Sequence, residues 1–313
     1  MRAAACIPLE NMLACLRSVS NKFDTLGAPA PYAVRGRFLY ASFRNLKGRH
    51  RGLEGWRRIL SSRKGADRMN PSDLRSRPII EVKNIRKEYP IGDETVVALK
   101  RINLNVMRGE ICCIFGTSGS GKSTLLNQLA GMEKPTRGEV RIGGVPISRL
   151  SENQLAAFRQ KHLGFVFQSY NLLPNLTATE NVAMPLMFRG VPREQREAAA
   201  RKLLTRVGLA HRLDHFPGQM SGGQQQRAGI ARAFIARPDV VFADEPTGNL
   251  DSKTTVEIMN MICSFARDYH QTIILVTHDP EMAAYADRIV TLIDGEIVRN
   301  EVNQKKERKT YEA

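Results

Sequence analysis

The sequence predicts an α/β fold: a buried, mostly parallel sheet, with an antiparallel β portion ahead of it in the chain and a helical segment inserted within it. Three observations carry this. Short apolar, β-branched runs at residues 111–115, 240–243 and 273–276 are each followed by polar residues, and the last two are separated by an amphipathic helical pattern over 256–269. Strand, helix, strand without apolar–polar alternation is the pattern of a parallel sheet covered on both faces. Residues 79–89 and 95–106 do alternate, as half-buried antiparallel strands should, and between roughly 170 and 220 strand patterns give way to helical ones.

Each element has a local reason. The two alternating runs meet at the Gly92-Asp93 turn. Gly109 leads into the apolar run 111–115. Leu125, Leu126 and Leu129 follow at helical spacing, in a helix predicted to end near Gly131, where glycine can take the left-handed cap. A short strand is expected at 164–167. Residues 192–207 read as a helix with Pro192 at its start and Gly208 beyond its end. In the tail, two alternating runs flank Asp294-Gly295, the strongest short hairpin signal. Beyond Asn300 the charge-rich QKKERKT is expected to fray.

Composition excludes several classes. An apolar content of 42 % over 313 residues suffices for a sizeable core, so disorder throughout is ruled out. No run approaches the roughly 18 unbroken apolar residues of a membrane span; the richest stretch, 182–188, is short and interrupted by Pro185. Five cysteines without paired spacing, two of them adjacent in the apolar run 111–115, read as packing residues in a reducing compartment. The net charge of +16 is concentrated: residues 1–68 hold fourteen Lys/Arg against four Asp/Glu, leaving +6 on the other 245 residues. Nucleic acid is therefore not an expected partner of the core. For residues 1–78, a basic extension expected to be disordered, three readings compete: a translation-start artefact with Met69 the true first residue, an organelle transit peptide, or a basic arm for lipid or nucleic acid. The remainder, 79–313, is taken as one domain with a helical subdomain at about 170–225.

The stretch GTSGSGKST, residues 116–124, carries the first piece of chemistry. It joins an apolar strand to a helix through a glycine turn. Gly116 and Gly121 allow the backbone to turn tightly, so that the N–H groups of Thr117, Ser118, Gly119 and Ser120 and the positive helix end face an anion. Lys122 adds a point charge for the β- and γ-phosphates of a nucleotide, Ser123 a hydroxyl for Mg²⁺, and Thr124 continues the helix start.

The second piece lies at the ends of the other apolar strands. VVFADE places Asp244, fit to hold magnesium, and Glu245, fit to orient and deprotonate a water, after one strand. His278 follows another, beside Asp279, which can cap the helix that Pro280 begins. Gln168 follows the short strand at 164–167. Taken singly each is weak, since acids, histidines and glutamines are common in loops. All three positions fall at the carboxyl edge of one parallel sheet, where such folds place ligands. Finally, MSGGQQQR sets Ser221 as a helix cap with Gly222 and Gly223 exposing N–H groups at its positive end, and Gln224 beside them, a second anion site. Two chains arranged head to tail, each lending this loop to the other, account for two such sites on one nucleotide.

In this order and spacing GTSGSGKST, Gln168, MSGGQ, VVFADE, GNLD ending at Asp251, and VTHD resemble the ATP-binding-cassette ATPases over essentially all of residues 79–313. FVFQSYNLLPNLTATENV, ADEPTGNLDS and ADRIVTLIDG are similar to the subfamily that powers lipoprotein release and macrolide or peptide efflux. The resemblance implies a P-loop NTPase fold: a RecA-like, mostly parallel core with an N-terminal antiparallel β subdomain and an inserted α-helical subdomain. It implies ATP and Mg²⁺ as ligands, Tyr89 stacking on adenine, Gln168 sensing magnesium, Glu245 as base, Asp251 at the dimer contact and His278 on the γ-phosphate. Implied too are a homodimer or heterodimer of ATPase subunits, and an integral membrane permease subunit docked on NLLPNLTATENV that holds the protein at the cytoplasmic face of the cell membrane. Met220 stands where leucine is usual; either fills an apolar hole. A cell-division or signalling ATPase that drives a membrane partner without moving cargo fits the same residues. Cassette proteins of DNA repair or translation fit less well, because no heptad run separates Lys122 from Ser221.

Overall fold

The computed structural model describes residues 77–303. Residues 1–76 of the basic extension, with the alternative start at Met69, and the QKKERKT tail lie outside the described residues. The first strands, β1 (Pro78–Ile91) and β2 (Glu94–Met107), form the expected antiparallel hairpin. Then follow β3 (Ile111–Phe115), α1 (Lys122–Leu129), β4 (Arg137–Ile142), β5 (Val145–Pro146), α2 (Glu152–His162) and β6 (Leu163–Phe167). The helical insert supplies α3 (Ala178–Phe188), α4 (Arg193–Arg206) and α5 (Gly222–Phe234). The chain closes with β7 (Val240–Asp244), α6 (Ser252–Asp268), β8 (Thr272–Thr277), α7 (Pro280–Ala283), β9 (Arg288–Ile293) and β10 (Glu296–Val302).

Two sheets result. The smaller has the order β2-β1-β4-β5, all antiparallel; the larger has the order β10-β9-β3-β8-β7-β6, parallel except for the β10 edge. The β9–β10 turn uses Asp294 (φ 46°) and Gly295 (φ 75°), two successive left-handed residues as a type I′ hairpin requires. Alternate residues of the central strands divide between two cores. Cys113, Val241, Ala243, Ile273 and Leu275 pack with residues of the helical insert and of α6. Cys112, Ile114, Val240, Phe242, Ile274 and Val276 pack with α1 and the antiparallel sheet. Period-two side-chain alternation sends neighbours to opposite faces, and burial on both explains why these strands read as unbroken apolar runs. Cys112, Cys113 and Cys263 are buried, as packing residues are. Met220 is buried in the first core.

The structure adds and adjusts elements. β4, α2 and α3 were not among the expected elements; β4, whose Arg137, Glu139 and Arg141 alternate with Gly138, Val140 and Ile142, pairs with β1, and α3 accommodates Pro185 behind a Thr177/Glu180 capping box. α6 begins at Ser252, four residues before the expected 256, because the Asp251 side chain accepts from the Thr254 N–H and caps it. In the helix expected at 192–207, Pro192 is the cap and not the first turn.

Candidate nucleotide site

The phosphate loop starts where β3 stops. A Cβ on Gly116 would lie 2.3 Å from the Leu292 carbonyl oxygen, and one on Gly121, at φ 100°, 2.8 Å from that of Ala98. Backbone packing at this turn therefore leaves room for glycine alone. No side chain caps α1 and no acid stands in its first turn, so its leading N–H groups are offered outward with the positive end of the helix dipole. Lys122, only 7 % exposed, donates from Nζ to the Thr117 carbonyl across the loop at 2.7 Å. Burial pulls its pKa below the usual lysine value, and the charges of Glu245 and Asp244 oppose that shift.

The neighbouring strands bring the remaining candidates to the same edge. Phe115 pairs with Thr277, Val276 with Asp244, and Asp244 with Phe167, so the residues that follow emerge side by side: Gly116, His278, Glu245 and Gln168. Glu245 is held at φ 42°, a left-handed conformation unusual outside glycine, while its N–H donates to the Val276 carbonyl at 2.9 Å. His278 Nδ1 lies 2.8 Å from Glu245 Oε1. Burial, reinforced by the charge of Glu245, lifts the Asp244 carboxyl to about 6, and Lys122 counteracts this. The Asn249 amide donates to the Gln168 carbonyl at 3.1 Å, and Gly248 packs so closely that a Cβ there would meet Gln168 Nε2 at 2.6 Å.

The implied ligands fit what is present. Among the described residues no group of three or more His, Cys, Asp or Glu side chains forms a metal cage. A hydroxyl (Ser123), a carboxylate (Asp244) and an amide (Gln168) suit instead a hard cation that keeps its waters and leans on phosphate oxygens. The uncapped α1 start beside Lys122 suits the phosphates themselves.

Tyr89 reaches the site from the other sheet. Its hydroxyl donates to Glu133 at 2.6 Å, and Lys87 Nζ stands 4.9 Å from its ring centroid. Burial and then the Glu133 bond push its pKa up to about 12, against a hydrogen bond from Thr124, which ties the ring to the end of the phosphate loop. A base stacking on Tyr89 would take the face opposite Lys87.

Residues 221–224 form a separate helix start. Ser221 and Gln224 make a reciprocal capping box, at 3.3 and 3.0 Å. Gly222 sits under the Tyr170 hydroxyl, 2.6 Å from where a Cβ would be, and Gly223 lies under a Thr254 methyl. Asp251 caps α6 through the Thr254 N–H at 2.9 Å, which holds its carboxyl below the usual range.

The ABC transporter family model matches residues 99–248. The dimeric structure of a post-hydrolysis state of the ATP-binding cassette MJ0796, bound to ADP and Pi, superposes with a TM-score of 0.68 at 42 % identity, covering 72 % of this chain and 99 % of that one. The chain belongs to the ABC transporter ATP-binding cassettes. The macrolide export ATP-binding/permease protein MacB of Shigella flexneri is 49 % identical over 223 residues, which are 71 % of this cassette and 34 % of that protein; the Escherichia coli K12 MacB is 48 % identical over the same length. The cassette thus spans about a third of the length of the curated relatives it matches. A further solved neighbour, cbiO1 of Clostridium perfringens, part of the ABC transporter complex cbiONQ, has a TM-score of 0.66 at 29 % identity over 74 % of this cassette and 90 % of that chain.

Sequence reasoning missed several residues of this cassette's site: Glu133 under Tyr89, Asn249 on Gln168, and Gln226 and Arg232 behind them. Only Gln226 left a readable signal. It falls four and eight residues before Ile230 and Phe234, on the apolar stripe of α5, where a polar side chain stands out.

Proposed function

We propose that the chain binds and hydrolyses ATP and that this drives export through an integral membrane permease. The observation that carries this reading is the convergence of Lys122, Gln168, Asp244, Glu245 and His278 on one sheet edge in front of an uncapped helix start. In the proposed reaction Lys122 and the loop N–H groups bind the β- and γ-phosphates and stabilise the charge that develops there. Glu245 orients the attacking water in line and takes its proton, while His278 fixes the Glu245 carboxylate and contacts the γ-phosphate. Ser123, Asp244 and Gln168 would hold Mg²⁺, which when bound neutralises phosphate charge. Tyr89 receives the adenine.

Residues 221–224 and Asp251 serve the nucleotide of a second cassette, identical or closely related, so that closure of the pair is the work stroke. In support, the MJ0796 cassette is dimeric with ADP and Pi bound. The motion passes to a permease docked on the segment after Gln168. That partner is supported by the ATP-binding/permease composition of the MacB relatives and by the exposed Met187 and Phe188 at the end of α3. No helix among the described residues is long and apolar enough to cross a membrane. In this reading the permease spans the bilayer and holds the cassette at its cytoplasmic face.

The test is phosphate release by the purified chain, alone and with its permease, with light scattering under ATP. We expect Mg²⁺-dependent release and an ATP-dependent doubling of mass. A chain that neither binds nor cleaves ATP under both conditions overturns the proposal.

A further inference from the structure

Helix α5 is bonded to the loops of its own chain's site at two places. Gln226, fully buried, donates from one Nε2 to two carbonyl oxygens: Phe167 at 3.2 Å, the residue before Gln168, and Pro246 at 2.5 Å, the residue after Glu245. Both partners are acceptors, so the orientation of the amide is fixed by them. Six residues on, half-buried Arg232 donates to the carbonyls of Tyr170 at 2.9 Å and Asn171 at 2.5 Å. The backbone it grips is left-handed at Tyr170 (φ 60°) and Asn171 (φ 48°), as Pro246 follows left-handed Glu245 (φ 42°). Such conformations cost on the order of 1–3 kcal/mol and persist only where the surroundings over-determine them.

The Gln226 acceptor, Oε1, is buried without a hydrogen-bond partner. The residue is therefore held by its donor end alone, and the two carbonyls it bonds depend on that amide. The two donated bonds are what the residue provides. Their partners belong to the site that this chain's own phosphate loop completes, whereas the N-terminus of α5 carries residues 221–224.

We infer that Gln226 is a positioning residue for hydrolysis, holding Gln168 and Glu245 in register with α5, so that a shift of α5 when residues 221–224 engage a partner's nucleotide is felt at its own chain's water-activating carboxylate. This rests on the ATPase reading above. Gln226 is fully buried and bonded only to backbone, so it acts through the two loops it holds.

The experiment compares the full chain with Gln226→Met, similar in size and lacking the donor, by kcat and KM for ATP, Kd for a fluorescent ATP analogue, the Hill coefficient and the thermal midpoint. The expected result is a fall in kcat of roughly 10- to 100-fold, as small misplacements of catalytic groups produce, with a reduced Hill coefficient and Kd within about twofold, the midpoint falling by only a few degrees for the two lost bonds. A kcat at the parent level overturns the inference, and so does a fall in kcat matched by lost nucleotide affinity and a far lower midpoint, which is the mark of a purely structural role. If Gln226→Met does not fold, Gln226→Asn keeps an amide that reaches only one carbonyl; an intermediate kcat supports the inference and a parental kcat refutes it. A parent that neither binds nor cleaves ATP condemns the ATPase reading, and this inference with it; a parent that does both alongside an indifferent variant condemns the inference alone.

Discussion

His278 Nδ1 stands 2.8 Å from Glu245 Oε1, although the two residues follow different strands. With the histidine side chain 61 % exposed and the glutamate 24 %, the pair is worth little to stability. Its consequence is geometric: the carboxylate of a backbone-strained residue is pinned where two strand ends meet. Glu245→Gln keeps the shape and removes the base, so we expect nucleotide binding to persist, turnover to fall by about 10²–10⁴-fold, and ATP to trap a dimer visible by size-exclusion chromatography. Equal ATPase rates for variant and parent would remove Glu245 from that role.

Lys122 acts on binding. It is buried, and its Nζ spans the loop to the Thr117 carbonyl. Lys122→Ala should weaken ATP by roughly 10- to 100-fold, the scale of a charge-assisted hydrogen bond of about 1.5–3 kcal/mol. Fluorescence titration that finds unchanged affinity would count against the phosphate-loop assignment.

Asp244 sets a pH dependence of stability. Its folded pKa, about 6, lies above the ordinary aspartate value of 3.8. Between these values the native chain holds a proton that the unfolded chain has released, so this residue's contribution is most favourable below about pH 4 and is lost as the pH rises through 6. Asp244→Asn should therefore raise the thermal midpoint of the nucleotide-free protein above pH 6 and leave it unchanged near pH 4, while abolishing the extra stabilisation that Mg²⁺ with ATP gives the parent. Midpoint curves of parent and variant that run parallel across this range would contradict the assignment.

Tyr89 is already fixed from behind by Glu133 and Thr124. If its ring receives the base, Tyr89→Ala should raise KM for ATP by roughly 5- to 100-fold, the range of about 1–3 kcal/mol per stacked base, and leave kcat near the parent's. Tyr89→Phe keeps the ring and should change KM far less. Steady-state kinetics in which Ala and Phe behave alike would assign Tyr89 to packing.

Much of this site was legible before any coordinates. The glycine turn, Lys122 and the uncapped helix behind it are set by neighbours a few residues apart, and so are the Ser221 and Asp279 caps, each of which the structure contains; the Asp251 cap, equally local, was not foreseen and moves the start of α6 to Ser252. The apolar strands were legible because burial on both faces leaves no polar residue inside them. β4 was overlooked although Arg137, Glu139 and Arg141 alternate with Gly138, Val140 and Ile142, because so short a run with only two large apolar residues is weak by itself; its partner β1 decides it. Glu133, 44 residues from Tyr89, carried no signal at all.

By itself, then, the sequence determined the chemistry of each segment: which turn accepts an anion, which strand ends in carboxylates, which helix begins with a cap. Those are properties of hydrogen bonds and backbone conformations confined to a few consecutive residues. The strand order β9-β3-β8-β7-β6 was decided only by tertiary structure, because it depends on how two apolar faces find separate cores. That order brings His278 to Glu245, and the packing of α5 behind it brings one buried amide to Phe167 and Pro246.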